Sequence, residues 1–81
     1  MRKEVKEGYI WVISGKQRIA ITKALNKPLT ASLIKKRTNI KISNISDILR
    51  EMVRLKLAKV LNPKDKRNRV YSLTRKGESV K

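Results

Sequence analysis

Apolar residues recur at three- and four-residue intervals through residues 42–55, at Ile45, Ile48, Leu49, Met52 and Leu55, with Ser43, Asn44, Ser46, Asp47, Arg50 and Arg54 on other faces. That period is helical, and it makes this segment the best-defined helix in the chain. Upstream, Ser14-Gly15-Lys16-Gln17 has the spacing of a capping box ahead of a helix-like stretch to Leu25, in which Gln17, Ile21, Ala24 and Leu25 share a face. Asn26-Lys27-Pro28 stops it, because proline cannot continue the hydrogen-bond ladder and restricts the residue before it. Thr30 is a good N-cap for a second helix through Arg37, with Leu29 at the preceding staple position and Ile34 directed to the core. Thr38-Asn39 ends that helix, since asparagine enters the left-handed region cheaply, as a tight helix-to-helix turn requires.

After residue 55 the pattern changes. Residues 58–61 and 69–73 are short runs compatible with strands, separated by Asn62-Pro63-Lys64-Asp65-Lys66-Arg67-Asn68, a turn-forming and highly charged loop. Together they predict a hairpin. Thr74 caps a short final turn ending near Gly77. At the other end, residues 1–8 are charged with Gly8 as a break and read as a frayed lead-in. Residues 9–13 hold the only Trp, and either a strand or a helical turn fits them. They either cover the core or make a homodimer contact through Tyr9, Trp11 and Ile13. The expected division is therefore a lead-in over 1–13, a domain over 14–77 and a tail over 78–81.

Composition adds a partner to this outline. The chain has 81 residues, enough for one economical domain, and its 22 Lys and Arg against 6 Asp and Glu give a formal charge of +16. Heat-adapted surfaces intersperse Glu with Lys, but here the acids are missing. Self-repulsion on this scale calls for a polyanion, and basic footprints of this kind mark nucleic-acid binders. Cys and His are both absent, which removes disulfides, thiolate nucleophiles, the commonest zinc ligands and the usual general base. The acids are scattered and no glycine-rich phosphate loop is present, so neither an enzyme nor a cofactor is expected. The longest apolar run, residues 9–13, is too short for a signal-peptide core or a membrane span, and a cytoplasmic location is expected.

Two helices joined by a short turn, the second polar on its outer face, are the sequence form of a helix-turn-helix. An α-helix fits the major groove of B-DNA, where every base pair shows a distinct pattern of donors and acceptors, and short polar side chains on the leading turns can read it. Ser43, Asn44, Ser46 and Asp47 occupy those turns. Over residues 14–77 the chain resembles the winged helix-turn-helix regulators of the arsenic-repressor and multiple-antibiotic-resistance-regulator types, especially their small archaeal members. The resemblance rests on the order of Pro28-Leu29-Thr30, Ser43-Asn44-Ile45-Ser46, Leu49-Arg50-Glu51-Met52, Leu61-Asn62-Pro63 and Arg69-Val70-Tyr71-Ser72-Leu73-Thr74 with Gly77. It implies an α+β, mainly helical winged helix-turn-helix in which three helices precede a β-hairpin wing. It further implies that residues 42–55 form the recognition helix and that the wing lies on the DNA backbone or in the minor groove.

Three positions depart from that family's pattern. Lys35 stands where a small residue is usual, Lys41 where a Ser or Thr cap is usual, and Asp47 where a basic or neutral residue is usual. Lys41 leaves Ser43 as an alternative start for the recognition helix. Asp47 either accepts from a cytosine amino group or pairs with a neighbouring Lys or with Arg50, the pairing being favoured because a free carboxylate would repel phosphate.

The candidate DNA-binding residues are Thr30 at the head of the second helix, Lys41 in the turn, Ser43, Asn44, Ser46, Asp47 and Arg50 on the third, and Lys64, Lys66, Arg67 and Arg69 on the hairpin. Arg50 is suited to guanine and Asn44 to adenine, while a hydrogen bond at the helix start is the plainer role for Asn44. The hairpin cations supply affinity with little sequence preference. Lys27, Lys35, Lys36 and Lys41 flank the reading surface. The leading expectation is a sequence-specific regulator of double-stranded DNA. A non-specific architectural DNA or RNA binder and a winged-helix protein-interaction module are the alternatives. No small-molecule effector site is expected, and without Cys or His the metal sensing known in part of the arsenic-repressor family has no ligands.

Overall fold

The computed structural model describes the backbone of residues 3–81 and the side chains from residue 6 onward. In chain order it contains α1 (Lys3–Ile13), α2 (Lys16–Ala24), β1 (Leu29–Thr30), α3 (Ala31–Thr38), α4 (Ile42–Arg54), β2 (Ala58–Val60), β3 (Val70–Leu73) and α5 (Arg75–Ser79). The fold is α+β and mainly helical, with a small antiparallel sheet in the order β1-β3-β2. Among the described residues no helix is long and apolar enough to cross a membrane.

The helical period read at residues 42–55 forms α4, whose Ile45, Leu49 and Met52 are fully buried, with Ile48 and Leu55 packed at the margin of the core. Ile21 and Leu25 from α2 and Ile34 from α3 join them in the same cluster. Thr30 caps α3 as its residue type suggests, its hydroxyl accepting from the Leu33 amide at 3.3 Å. Asn39 closes α3 in the left-handed region at φ 59° and donates its amide to the Lys35 carbonyl, which leaves three residues between α3 and α4. α4 starts at Ile42 with Lys41 as its N-cap and no side-chain cap bond, so the alternative start at Ser43 is not taken.

Several local expectations are corrected. Of the lead-in over 1–8, residues 1 and 2 lie outside the described residues, whereas residues 3–8 are helical and run into 9–13, which is helix and not strand. Gly8 is no break. It is buried where α1 crosses the end of the chain, and a Cβ there would meet a Leu57 methyl at 2.9 Å and Val80 at 3.6 Å. The capping box at Ser14–Gln17 does not form either. α1 reaches up to Ser14, whose hydroxyl donates to the Ile10 carbonyl at 2.5 Å, and Gly15 becomes an N-cap without a side-chain bond. Thr74 caps α5 by accepting from the Gly77 amide, but Gly77 lies inside the helix and not at its end, and Val80 beyond it is buried. Both flanks of residues 14–77 therefore contribute to the packed domain.

The end of α4 shows why α5 is needed. Lys56 adopts φ 62°, and the Leu57 and Lys56 amides donate back to the Met52 and Val53 carbonyls at 2.8 and 3.0 Å, the pattern of a Schellman cap without its usual glycine. The next carbonyls are satisfied from the end of the chain. Lys76 Nζ donates to Leu55, the Thr74 hydroxyl to Lys56 and the Thr74 amide to Leu57. Gly77 lies against that last carbonyl, where a Cβ would stand 2.0 Å from the Leu57 oxygen.

β1, a two-residue strand invisible to pattern reading, pairs Leu29 with Tyr71 and Thr30 with Val70. It ties the head of α3 to the hairpin. On the other side of β3, Ala58 pairs with Leu73, Lys59 with Ser72 and Val60 with Tyr71, so alternation turns Ala58 and Leu73 into the core and Lys59 outward.

Two opposite stability changes follow from the α4 terminus. Lys56→Gly relieves the left-handed residue and is expected to raise stability by about 1 kcal/mol, whereas Gly77→Ala forces backbone apart and is expected to cost about 3 kcal/mol or more. Urea unfolding of the two variants against the wild type checks both signs.

Candidate nucleic-acid interface

The outward side of α4 carries Ser43, Asp47, Arg50 and Arg54, whose spacing places them along one line opposite the buried seam. Asp47 and Arg50 pair at 3.7 Å, with the Arg50 side chain 81% and the Asp47 side chain 73% exposed. This is the pairing favoured from sequence. A second pair follows one turn on: Arg54 donates from Nε to Glu51 Oε1 at 2.9 Å, and its Nη2 reaches the same oxygen. The Arg54 hydrogen bond holds the Glu51 carboxyl below the ordinary glutamate range, so this pair stays ionised through neutral pH.

The two flanks of that line face different neighbours. On one side Ser46, Arg50 and Val53 share a cleft of about 280 Å³ with Val60, Lys66, Arg69 and Tyr71 from the hairpin. Lys66, Arg69 and Tyr71 also line a smaller cleft, about 180 Å³, against Thr30, Ala31 and Ser32 at the head of α3. Thr30, Ser46, Arg50, Lys66 and Arg69 are thus brought together around Tyr71. On the other side Asn44 and Asp47 line an open groove against residues 14–18 at the α1–α2 junction. Lys41, Ser43, Lys64 and Arg67 are exposed.

Tyr71, Val53, Val60 and Ser32 are not among the candidate DNA-binding residues read from sequence. Tyr71 had a usable signal, because strand alternation in 69–73 places it on the same face as Leu73, toward α4.

The hairpin loop is internally braced. Asn62 Oδ1 accepts the Val70 amide at 2.7 Å, while its Nδ2 donates to Asp65 Oδ2 at 2.9 Å and to the Asn68 carbonyl at 3.2 Å. Arg69 Nε donates to the Asp65 carbonyl at 2.8 Å, and Asn68 sits at φ 55°. One face of Arg69 is therefore engaged within the loop, and Lys64, Lys66 and Arg67 are left facing solvent.

Charge is distributed unevenly across these elements. α4 holds two Arg against Asp47 and Glu51 and is neutral; α2 (Lys16, Arg18, Lys23) and α3 (Lys35, Lys36, Arg37) have three cations each and no acid. The hairpin loop sets Lys64, Lys66, Arg67 and Arg69 against Asp65. A neutral strip thus lies among strongly basic elements, as the sequence suggested for the reading surface.

The residues offered for a homodimer contact separate. Trp11 is half-buried against the core beneath Arg18, whose guanidinium carbon lies 4.4 Å from the ring centroid and whose Nη1 donates to the Trp11 carbonyl. Tyr9, Ile10 and Ile13 remain exposed on α1. Among the described residues no group of three or more acidic, His or Cys side chains is placed to hold a metal ion.

No protein-family model matches the chain, and the comparisons with curated proteins and with solved structures give no match.

The brace on the loop is open to test. Asn62→Ala leaves the Val70 amide without its acceptor and is expected to cost about 1–2 kcal/mol. Hydrogen exchange should speed up more in residues 62–70 than in α4, whose core amides follow only the loss of global stability; uniform acceleration across the chain would refute a local brace.

Proposed function

We propose that this protein binds double-stranded DNA sequence-specifically, as a transcriptional regulator of the winged helix-turn-helix type. In this reading α3 and α4 form the helix-turn-helix, α4 is the recognition helix in the major groove, and the loop between β2 and β3 is the wing on the backbone or minor groove. The observation that carries it is the arrangement of charge and shape around α4: a neutral face of short polar side chains and Arg50, with Lys66 and Arg69 lining clefts shared with both α4 and the head of α3. A major groove about 12 Å wide accepts such a helix, and the flanking cations then meet phosphates.

The roles divide accordingly. Lys64, Lys66 and Arg67, on a braced loop, hold phosphate with little loss of loop freedom on binding. Thr30, Lys41 and Arg69 extend that hold toward the turn and the head of α3. Ser43, Ser46 and Arg50 meet base edges, with Arg50 suited to the two acceptors of guanine. Asn44 lines the groove at the α1–α2 junction beside Asp47, and reaches the base at the margin of the site. A second copy would dock through the exposed Tyr9, Ile10 and Ile13 and place two recognition helices on a two-fold-related site. Mass in solution at several concentrations tests that docking.

A non-specific architectural binder is the second reading, favoured by the exposed cations Lys56, Lys59 and Arg75, which lie outside the elements described above as the interface. Selection of bound sequences from a random DNA pool at two salt concentrations separates the two. The regulator returns one enriched motif at both. Random sequence returned at both would leave only the architectural reading.

Loss of Lys66 and Arg67 to Ala is expected to weaken binding to all duplexes alike and to flatten the log–log salt dependence by about one unit per lost phosphate contact. A loss confined to the enriched motif would contradict the wing assignment.

A further inference from the structure

Only six acids accompany the 22 cations of this chain, and two of them sit on the helix proposed to read DNA, Asp47 on its outward line and the half-buried Glu51 at the edge of that side. That is where a carboxylate costs most against phosphate. Both stand three residues before an arginine, the orientation that favours pairing on a helix, and both pairs are formed: Asp47 with Arg50 at 3.7 Å, and Glu51 with Arg54 through two donors on one oxygen. The acids do more than lower net charge, because each sets a carboxylate beside a guanidinium that would otherwise face any phosphate alone, within charge-pairing distance for Arg50 and hydrogen-bonded for Arg54.

We propose that Asp47 and Glu51 are specificity-determining residues, holding Arg50 and Arg54 off the phosphate backbone and penalising contact with any duplex that lacks the right base edge. The inference rests on the DNA-binding reading above. Its physical basis is that specificity is a difference of affinities and is often built from a repulsive element. On an arbitrary duplex α4 offers a neutral face, and two carboxylates approach the phosphates unrewarded. A guanine presents O6 and N7 together, so it can replace a carboxylate as the partner of an arginine, and exposed ion pairs are weak enough to be exchanged in this way. The basic wing and α3 hold the protein near any DNA, and the acidic partners on α4 decide where that hold tightens.

The test measures binding of the full chain to the duplex recovered by selection and to a shuffled duplex of the same composition, across a salt series. The proteins are wild type, Asp47→Asn, Glu51→Gln, their double variant, and Glu78→Gln. The last removes one negative charge from α5, where Glu78 pairs with Lys81, and serves as a control for net charge. Each α4 variant is expected to bind the shuffled duplex about two- to fivefold more tightly, the range an exposed charge pair supplies, and to gain less on the selected duplex, so that the ratio falls. The salt slope on shuffled DNA should steepen by about one unit for each arginine released onto phosphate. Asp47→Glu and Glu51→Asp keep the charge and should keep the wild-type ratio, and Glu78→Gln should leave the ratio alone. Equal tightening on both duplexes, or a ratio lowered as much by Glu78→Gln, would overturn the inference. If the wild type discriminates and the double variant discriminates equally well, this inference falls alone. A wild type with no preference removes the proposed function as well.

Discussion

Burial of one side of α4 is the constraint on which the rest of the molecule depends. Ile45, Leu49 and Met52 are fully buried in a chain that must hold together 22 cations against 6 acids, so the apolar seam has to outweigh considerable self-repulsion. Fixing that seam fixes the opposite side. Ser43, Asp47, Arg50 and Arg54 point outward because helical geometry leaves them nowhere else. The neighbouring elements are then set around α4. The Asn39 turn delivers α3, and the Leu57 carbonyl, held by Thr74 and closely approached by Gly77, fastens α5 to its far end.

The hairpin is placed by a different device. β1 is only Leu29–Thr30, yet its pairing with β3 makes the residue that caps α3 a neighbour of Val70 in the sheet. Thr30 thereby joins three structural roles: strand partner, helix cap and wall of a cleft containing Lys66 and Arg69. Asn62 then braces the loop so that its cations project from a defined frame. On the proposed function this amounts to preorganisation: the basic surface is assembled before any duplex arrives, and less ordering is required when one does.

Much of this was legible in the residues. The spacing of Ile45, Leu49 and Met52, the Thr30 cap, the Asn39 turn and the charged loop between two short runs each carry a local physical signal, and the helix and hairpin bounds fall within a few residues of those expected. What was missed depends on contacts far apart in sequence. Gly8 reads as a break until Leu57 and Val80 pack over it, and Gly77 reads as a terminus until the Leu57 carbonyl lies against it. Ser14 looked like a cap for α2, but its hydroxyl serves the helix before it. For the site, the i,i+3 pairing of Asp47 with Arg50 could be foreseen, whereas the separation of Ser46 from Asn44 could not. That separation depends on where the hairpin and the α1–α2 junction sit beside α4.

On the proposed function, one continuous face, formed by the head of α3, the outward side of α4 and the hairpin loop, meets DNA. Mapping backbone amide shifts on addition of a duplex at low and at moderate salt tests this most directly. Thr30, Ser46, Arg50, Lys66 and Arg69 should shift together at both salts, with α5 quiet. Shifts confined to α1 or α5, or spread over every cation and abolished by moderate salt, would contradict it.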